Sequence, residues 1–230
     1  MFGHILVSFL LPYPKMNEDE KMSTTLEKLK GKTSEEILSI YGEKDKYPID
    51  IVEIAKKAGI QLGSIDFTKL EKKDSFKDIV SKRGHILGAV TFDGEAINII
   101  YHNALHDEDD DLEFKNLSDV DKKDKLLRRQ RFTIAHEIAH CCLNIDEGEP
   151  HIEYRTDQKD YKSEKERNAN IFAGELLMPK DSIEDLCGIL NNKVSLSFLA
   201  DIFKVSRHVM QARLEYLKKE GHLSELKVFI

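Results

Sequence analysis

The residues with the clearest chemical potential are two histidines and a glutamate in the stretch Arg131-Phe-Thr-Ile-Ala-His136-Glu137-Ile-Ala-His140. On an α-helix, residues four apart differ by about 40° around the axis, so His136 and His140 project from one face and can bind one tetrahedral Zn²⁺. Glu137 is turned by about 100° from His136, which places its carboxylate beside the metal. The H-E-x-x-H spacing predicts metal-assisted hydrolysis with Glu137 as general base.

A catalytic zinc site needs a third protein ligand and an open position. Glu166 is the best candidate, because it follows His140 by 26 residues, which leaves room for the chain to turn back antiparallel. Asn170 lies one helical turn later and can hydrogen-bond the outer nitrogen of a ligating imidazole, which fixes the ring. Glu164 is the alternative ligand. The interpretation without a metal is that Glu166 is a solvated helix charge.

The opposite face of the histidine helix is apolar. With His136 at 0° and 100° per residue, six side chains fall between about 140° and 240° and predict packing on a core. They are Leu127, Ile134, Ile138, Cys141, Cys142 and Ile145. Cys141 and Cys142 are therefore predicted to be core residues rather than ligands. Together with Cys187 they make an odd number, which does not indicate a disulfide framework.

Apolar periodicity and turn residues predict the elements that position these residues. Two β-rich runs flank Asp93-Gly94, a dipeptide favoured in two-residue turns, and predict a β-hairpin over 86–101. The acidic run 106–111 is expected to be a solvated loop, with a calcium site as the alternative. The other predicted elements are a helix over 48–59, a short strand over 61–67, helices over 122–142 and 163–177, and short helices to about 220.

At its two metal motifs the chain resembles the ImmA/IrrE-type intracellular metallopeptidases. The matching residues are Arg-Gln-Arg-Phe-Thr-Ile-Ala-His-Glu-Ile-Ala-His over 129–140 and Glu-Arg-Asn-Ala-Asn-Ile-Phe-Ala-Gly-Glu-Leu-Leu-Met-Pro over 166–179. The helix over 48–59, the hairpin and the Leu-Ala-Asp-Ile-Phe-Lys-Val-Ser run over 199–206 are also similar to this family. The resemblance covers about 47–217, and the two metal motifs together are its specific part.

The resemblance implies an α+β, zincin-like metallopeptidase with one Zn²⁺ per chain and a glutamate as third ligand. It also implies an endopeptidase that cleaves a helix-turn-helix repressor encoded nearby, on a mobile element or in a stress-response locus. Two positions depart from the family pattern. Asn144 stands where many members have a third histidine, and Asn168 stands where many have an acidic residue.

The predicted fold is a zincin-like domain over 47–190, with a small antiparallel sheet or hairpin and an active-site helix. A charged extension over 1–46 precedes it, in which sparse apolar residues predict one or two surface helices. A C-terminal helical segment, similar to a helix-turn-helix, covers 191–230. The apolar residues 1–11 are an ordinary strand or helix, sequence upstream of a start at Met16 or Met22, or a secretion signal, although a basic region and a cleavage site are lacking.

In the implied reaction, Glu137 takes a proton from zinc-activated water and later delivers it to the leaving amine. A hairpin edge strand around 97–101 is expected to pair with an extended substrate. A further group should stabilise the oxyanion. The candidates, which the sequence does not rank, are His102, His151, Tyr154 and Tyr161.

The alternative function is a zinc-containing transcriptional regulator or sensor that acts by binding DNA or a partner without proteolysis. The segment 193–220 carries six Lys/Arg and three Asp/Glu, and Ser206 is placed to cap the second of its helices. That excess is modest, and the net charge of −7 makes strong DNA binding unexpected. A toxin-like or antitoxin-like partner protein is a third possibility. Because no apolar run is long enough to span a membrane, a cytoplasmic location is expected.

Overall fold

The computed structural model describes most of the 230-residue chain. The described residues are 28–73, 77, 85–92, 97–104, 117–143, 151–156, 164–190, 193–223 and 227–229. For Phe92 and for residues 151–156 and 227–229, only the backbone is described. The predicted acidic loop over 106–111 lies outside the described residues.

The chain is a mixed α and β structure, and we number its elements in chain order. The helices are α1 (Ser34–Tyr41), α2 (Ile51–Ala58), α3 (Phe67–Glu71), α4 (Asp119–Leu143), α5 (Glu164–Leu177), α6 (Lys180–Ile189), α7 (Leu196–Phe203) and α8 (Arg207–Lys219). The strands are β1 (Gln61–Ile65), β2 (Ile86–Phe92), β3 (Ile97–His102), β4 (His151–Thr156), β5 (Lys193–Ser195) and β6 (Lys227–Phe229). None of the described helices is both long and apolar enough to cross a membrane.

The helices begin and end where local chemistry predicts. At the start of α2 the Asp50 carboxylate accepts a hydrogen bond from the Glu53 N–H, which satisfies one of the free donors of the first turn. The same helix ends at Gly59, whose φ of 84° suits a residue without a Cβ. The short strand after Gly59 is confirmed for 61–65, while Phe67 begins α3 instead of extending the strand.

One sheet contains four strands in the order β1-β3-β2-β4. The antiparallel hairpin of β2 and β3 is confirmed, and its turn residues lie outside the described part of the chain. The predicted small antiparallel sheet is formed by β3, β2 and β4, and β1, whose pairing was not predicted, joins β3 in parallel. The chain passes through α3 and β2 between those two strands, and such a crossover connection is what parallel pairing requires. A second sheet pairs β5 with β6, also in parallel.

The position of β3 corrects the predicted substrate edge. Since β3 lies between β1 and β2, a strand around 97–101 has no free edge for an incoming peptide. Among the strands that the structure describes, the two edges of this sheet are β1 and β4. The sequence analysis did not predict β4.

A single cluster of buried side chains joins the three predicted segments of the chain. It contains Leu29 and Ile37 from the N-terminal segment, Ile138 from α4, and Leu199 and Leu214 from the C-terminal helices. Part of the segment before residue 47 forms a surface helix, α1, whose apolar side chains Ile37 and Leu38 are buried. The apolar residues of that segment are few, but they are spaced so that one face of α1 packs on α5.

The C-terminal helices α7 and α8 pack on each other, α8 packs on α5, and the turn between α7 and α8 is hydrogen-bonded to the first half of α4. Ser206 caps α8 as predicted, since its Oγ accepts from the Val209 N–H at 3.2 Å. The turn between the two helices is held by Arg128 of α4, which donates to the carbonyl oxygens of Ala200 at 3.0 Å and Val205 at 2.8 Å. The Ala200 carbonyl also accepts from the Val205 N–H at 3.0 Å, so Arg128 adds a charged donor there and ties the end of α7 to the turn that follows it.

Candidate metal centre

The second half of α4 is buried on every side. All side chains over 133–142 are buried, whereas those over 119–132 are exposed or half-buried. The two adjacent cysteines are free and lie in the core, as predicted. The predicted apolar face is wrong for Leu127, which is 49% exposed because it belongs to the half of the helix that is less covered. Ile145 lies outside the described residues.

Three potential ligand atoms converge at this helix. The Nε2 atoms of His136 and His140 are 3.0 Å apart. One carboxylate oxygen of Glu166 lies 3.1 Å from His136 Nε2, and the other lies 3.2 Å from His140 Nε2. Both histidines are buried, while the glutamate side chain is 36% exposed, so the cluster opens to solvent beside Glu166.

Asn170 is hydrogen-bonded to the His136 ring. The Nδ1–H of the His136 ring donates to Asn170 Oδ1 at a distance of 3.1 Å. With the proton on Nδ1, the lone pair on Nε2 points toward His140 and Glu166. An imidazole held in this tautomer is prepared to bind a metal through Nε2.

The helix α5 supplies Glu166 and Asn170 and packs along α4. Ala169 and Ala173 are fully buried, and their small side chains permit the close approach of the two helices. Glu164, the alternative ligand, is exposed at the first residue of α5 and is not part of the cluster. Glu164 and Glu166 are two residues apart and therefore differ by about 200° around the helix axis, so Glu164 projects from the opposite side of α5.

The electrostatics of the cluster favour an ionised carboxylate. Burial raises the pKa of Glu166, but hydrogen bonds and charge interactions with His136 and His140 outweigh burial and hold the pKa well below its usual range. Glu166 is therefore charged at neutral pH. Two imidazole nitrogens and one carboxylate are a donor set typical of catalytic zinc sites.

The spacing of these atoms fits Zn²⁺. Ligands at about 2.0–2.1 Å from a tetrahedral metal are roughly 3.3 Å from one another. The two Nε2 atoms are 3.0 Å apart, and they lie 3.1 and 3.2 Å from different oxygens of Glu166, so the separations are close to those between ligands of one metal ion. One ligand atom from each of the three residues would leave a fourth position open.

Glu137 lies next to the histidines, fully within the interior, and its side chain rests over the sheet. A Cβ placed on Gly88 of β2 would come within 3.7 Å of Glu137 Oε1 and would overlap the Cγ2 methyl of Thr133. The sequence analysis did not identify Gly88 as part of the site. A glycine inside a β-rich run does indicate a close approach of another element, but the run does not say which element approaches.

The four oxyanion candidates are placed differently. His102 lies on β3 with its ring against Phe67, and its Nδ1 accepts from the Phe67 N–H at 3.0 Å. Phe67 belongs to a second buried cluster, with Ile86, Ala89 and Ile100. Strand alternation puts His102 on the same sheet face as Ile100, whereas Gly88, Thr133 and Glu137 meet on the other face. The structure therefore does not bring His102 to the histidine cluster.

The side chains of the other three oxyanion candidates are not described. His151 and Tyr154 are on β4, for which the backbone alone is described, and Tyr161 lies outside the described residues. Their role at the oxyanion stays a prediction.

The chain matches one known protein family. Residues 122–215 match the model of an M78 peptidase family described as the IrrE N-terminal-like domain. Over this segment the chain is similar to the M78 peptidase family. No curated protein and no solved structure gave a significant match.

The M78 segment contains every residue of the cluster described above. It begins near the start of α4 and ends within α8, so it includes the histidines, Glu137, Glu166, Asn170 and the C-terminal helix pair. The resemblance to ImmA/IrrE-type peptidases is confirmed for these residues. Residues 47–121, for which the same resemblance was predicted, lie outside the matched segment.

Proposed function

We propose that the chain is a zinc metallo-endopeptidase with a zincin-like active site. The observation that carries this proposal is the convergence of His136, His140 and Glu166 at spacings that suit one Zn²⁺, with Glu137 on the same helix. The match of residues 122–215 to a peptidase family supports hydrolysis of a peptide bond as the reaction. Glu137 is one residue from a ligand but is not itself among the clustered ligand atoms, which leaves its carboxylate available for proton transfer.

In this proposal His136, His140 and Glu166 hold the metal. Zinc bound there supplies a Lewis acid that polarises the scissile carbonyl and lowers the pKa of water. Glu137 removes the proton from the attacking water and passes it to the leaving amine. Because Glu137 is buried, its carboxylate is held in place by the surrounding helix and sheet rather than by solvent.

The sheet offers a place for the substrate backbone. β4 is an edge among the described strands, and Arg155 of β4 is paired with Gly88, the residue over which Glu137 lies. An extended peptide could add to this edge through backbone hydrogen bonds to β4, on the side away from β2. We therefore place the substrate on β4 instead of on β3.

We infer a protein substrate inside the cell, and specifically a helix-turn-helix repressor encoded near this gene, on a mobile element or in a stress-response locus. The family match supports the protein substrate. The three cysteines are free and buried, as is common in proteins of a reducing compartment.

Two substitutions test the reaction. Glu137→Gln removes the proton acceptor and keeps the size of the side chain, so it should retain one zinc per chain and lose about 10²–10⁴-fold in cleavage rate. Glu166→Ala should lose zinc, and Glu164→Ala is the matched control that should keep it. The readouts are zinc content of the purified protein and cleavage of the neighbouring repressor.

The outcomes separate the peptidase from the regulator. If Glu137→Gln relieves repression while the repressor stays whole, the chain acts by binding and the peptidase proposal fails. If Glu166→Ala keeps full zinc occupancy, the proposed ligand set is wrong.

A further inference from the structure

The helix α4 approaches the sheet closely at Gly88, beneath Thr133 and the proposed base Glu137. Thr133 and Glu137 are four residues apart, so they lie on one face of α4, and both meet β2 at Gly88. The Thr133 methyl occupies the space that a side chain at residue 88 would need. The backbone carbonyl of Ile100 would lie 3.2 Å from such a Cβ, which leaves little room for it to move toward β3.

The backbone of β2 is irregular at the same place. Ile86 pairs with Thr156 and Gly88 pairs with Arg155, so β2 carries one extra residue, Leu87, between them. A bulge of this kind changes the direction in which the following side chains point and is frequent beside active sites. Ile86 accordingly packs with Ala89 on the far face of the sheet, while Gly88 faces α4.

The groups needed for hydrolysis are divided between two parts of the molecule. The helices α4 and α5 carry the proposed ligands and the base, and they pack directly on each other. The proposed substrate edge belongs to the sheet, where β4 is joined to β2 at Gly88. The contact of Thr133 with Gly88 therefore sets the distance between the base and the strand that receives the peptide.

We propose that Gly88 is a positioning residue, whose lack of a side chain sets the spacing between Glu137 and a peptide bound on β4. The inference rests on the proposed peptidase function. A methyl group at residue 88 would push Thr133, and with it α4, away from the sheet. The metal cluster would stay intact, since its three residues lie on α4 and α5, which move together.

The test uses four variants. Gly88→Ala introduces the methyl group, Thr133→Ser removes the methyl that it would strike, and the double variant combines them. Gly63→Ala is the matched control, because a Cβ on that β1 residue would meet only Ile100 Cγ1, at an ordinary 3.9 Å. Zinc per chain and the thermal midpoint of the metal-free protein are measured for each variant.

The spacing between the metal site and the β4 edge is then probed with two classes of zinc-binding compound. Acetohydroxamate binds a zinc site alone, whereas a panel of N-acetylated tetrapeptide hydroxamates must bind the zinc and the sheet edge at once. Linking the two interactions raises affinity only when the geometry allows both. The ratio of the two affinities therefore reports the spacing, and it is measured by calorimetry with zinc-loaded protein.

We expect the wild type and Gly63→Ala to bind the best tetrapeptide hydroxamate more tightly than acetohydroxamate. Gly88→Ala should keep its zinc and its affinity for acetohydroxamate. The peptide advantage, which is the affinity for the best tetrapeptide hydroxamate divided by that for acetohydroxamate, should fall about 10-fold or more, since a small displacement of the bound peptide from the metal weakens simultaneous binding. The thermal midpoint of Gly88→Ala should fall by roughly 5 °C. Thr133→Ser in the same chain should recover most of the advantage and most of the midpoint.

An unchanged peptide advantage in Gly88→Ala overturns the inference and leaves the proposed function standing. If Gly88→Ala does not fold, the double variant decides: recovery of folding and of the peptide advantage supports the inference, and failure of either overturns it. A wild type that prefers no tetrapeptide over acetohydroxamate defeats the proposed function, and the inference with it.

Discussion

His136 is held from both ends of its ring. Its Nδ1–H donates to Asn170, and its Nε2 faces Glu166 and His140. Without the amide oxygen, the ring can rotate or exchange tautomers, and both changes reduce the fraction of protein that is ready to bind zinc. The amide therefore contributes to metal affinity although it does not touch the metal.

We predict that Asn170→Ala weakens zinc binding by about 10–100-fold, which is the usual effect of removing such a partner. Asn170→Asp keeps an oxygen that accepts from Nδ1–H and should bind zinc close to the wild-type level. Asn168→Ala, at an exposed position of the same helix, is the control. Competition with a chelator of known affinity gives the three constants, and equal values for Asn170→Ala and Asn168→Ala would contradict the assigned role.

The residues of the metal cluster could be predicted because helical geometry alone relates them. His136 and His140 have a fixed spacing, and so do Glu166 and Asn170, so each pair could be placed without knowledge of the tertiary fold. Gly88 could not be predicted in this way. The proposed role of Gly88 depends on which helix packs on β2, and no local sequence pattern predicts that contact.

At the scale of elements, the long helix α4 has two different roles along its length. Its second half is buried and carries the site, while its first half supports the C-terminal helices through Arg128 and Arg131. Arg128 also reaches Asp201 of α7 at 2.7 Å. The turn between α7 and α8 is thereby attached to the helix that holds His136.

We predict that Arg128→Ala destabilises the protein by about 1–3 kcal/mol, because the carbonyls of Ala200 in α7 and of Val205 in the following turn lose a charged donor. Arg128→Lys keeps the charge but cannot span both carbonyls, so it should recover only part of the loss. Lys123→Ala, at an exposed position of the same helix, should be neutral. Chemical denaturation measures the free energy of unfolding, and a neutral Arg128→Ala would show that the helix pair needs no such support.

Contacts made by a second arginine affect how much positive charge this segment can offer to DNA. Arg213 of α8 is buried, donates to the Met178 carbonyl at 3.2 Å and lies 3.5 Å from Glu175, so its charge is used inside the protein. Of the modest basic excess of this segment, one residue is therefore not available to DNA.

We predict no submicromolar, sequence-dependent binding of DNA from the region of the gene in a gel-shift experiment at physiological salt. Phosphate contacts by lysine and arginine supply most of the affinity of DNA-binding proteins, and this helix pair offers few. Tight, sequence-dependent binding would favour the regulator over the peptidase. A known DNA-binding protein with its own site serves as the positive control.

The elements themselves could be predicted to within a few residues where periodicity and capping agreed, as in α2, α4 and α5. Sheet order could not, because it depends on contacts between strands far apart in the chain. The edge position was assigned to β3 for this reason, since a hairpin seen alone has two free edges. The addition of β1 and β4 removed both of them.

At the scale of the whole molecule, Glu175 of α5 connects the three predicted segments. Ser34 of α1 donates to its carboxylate at 3.2 Å, and Arg213 of α8 lies on its other oxygen. The N–H of Gly31 also donates to the Cys142 carbonyl at the end of α4, at 2.8 Å. The helices of the metal site are thus supported from both the N-terminal and the C-terminal segments.

This arrangement predicts where the chain can be shortened. A chain that begins at Met22 should bind one zinc, since every proposed ligand lies after residue 130 and the family resemblance begins near residue 47. A chain that begins at Gly42 should not fold, because it loses Leu29, Ile37 and Leu38, all of which are buried. Each such side chain contributes about 1.5–3 kcal/mol, and their sum is comparable with the roughly 5–15 kcal/mol that stabilise a typical domain. Zinc content and thermal unfolding of the two shortened chains provide the measurement. A folded, zinc-binding chain that begins at Gly42 would show that α1 is dispensable, whereas loss of zinc from the chain that begins at Met22 would show that residues 1–21 shape the site.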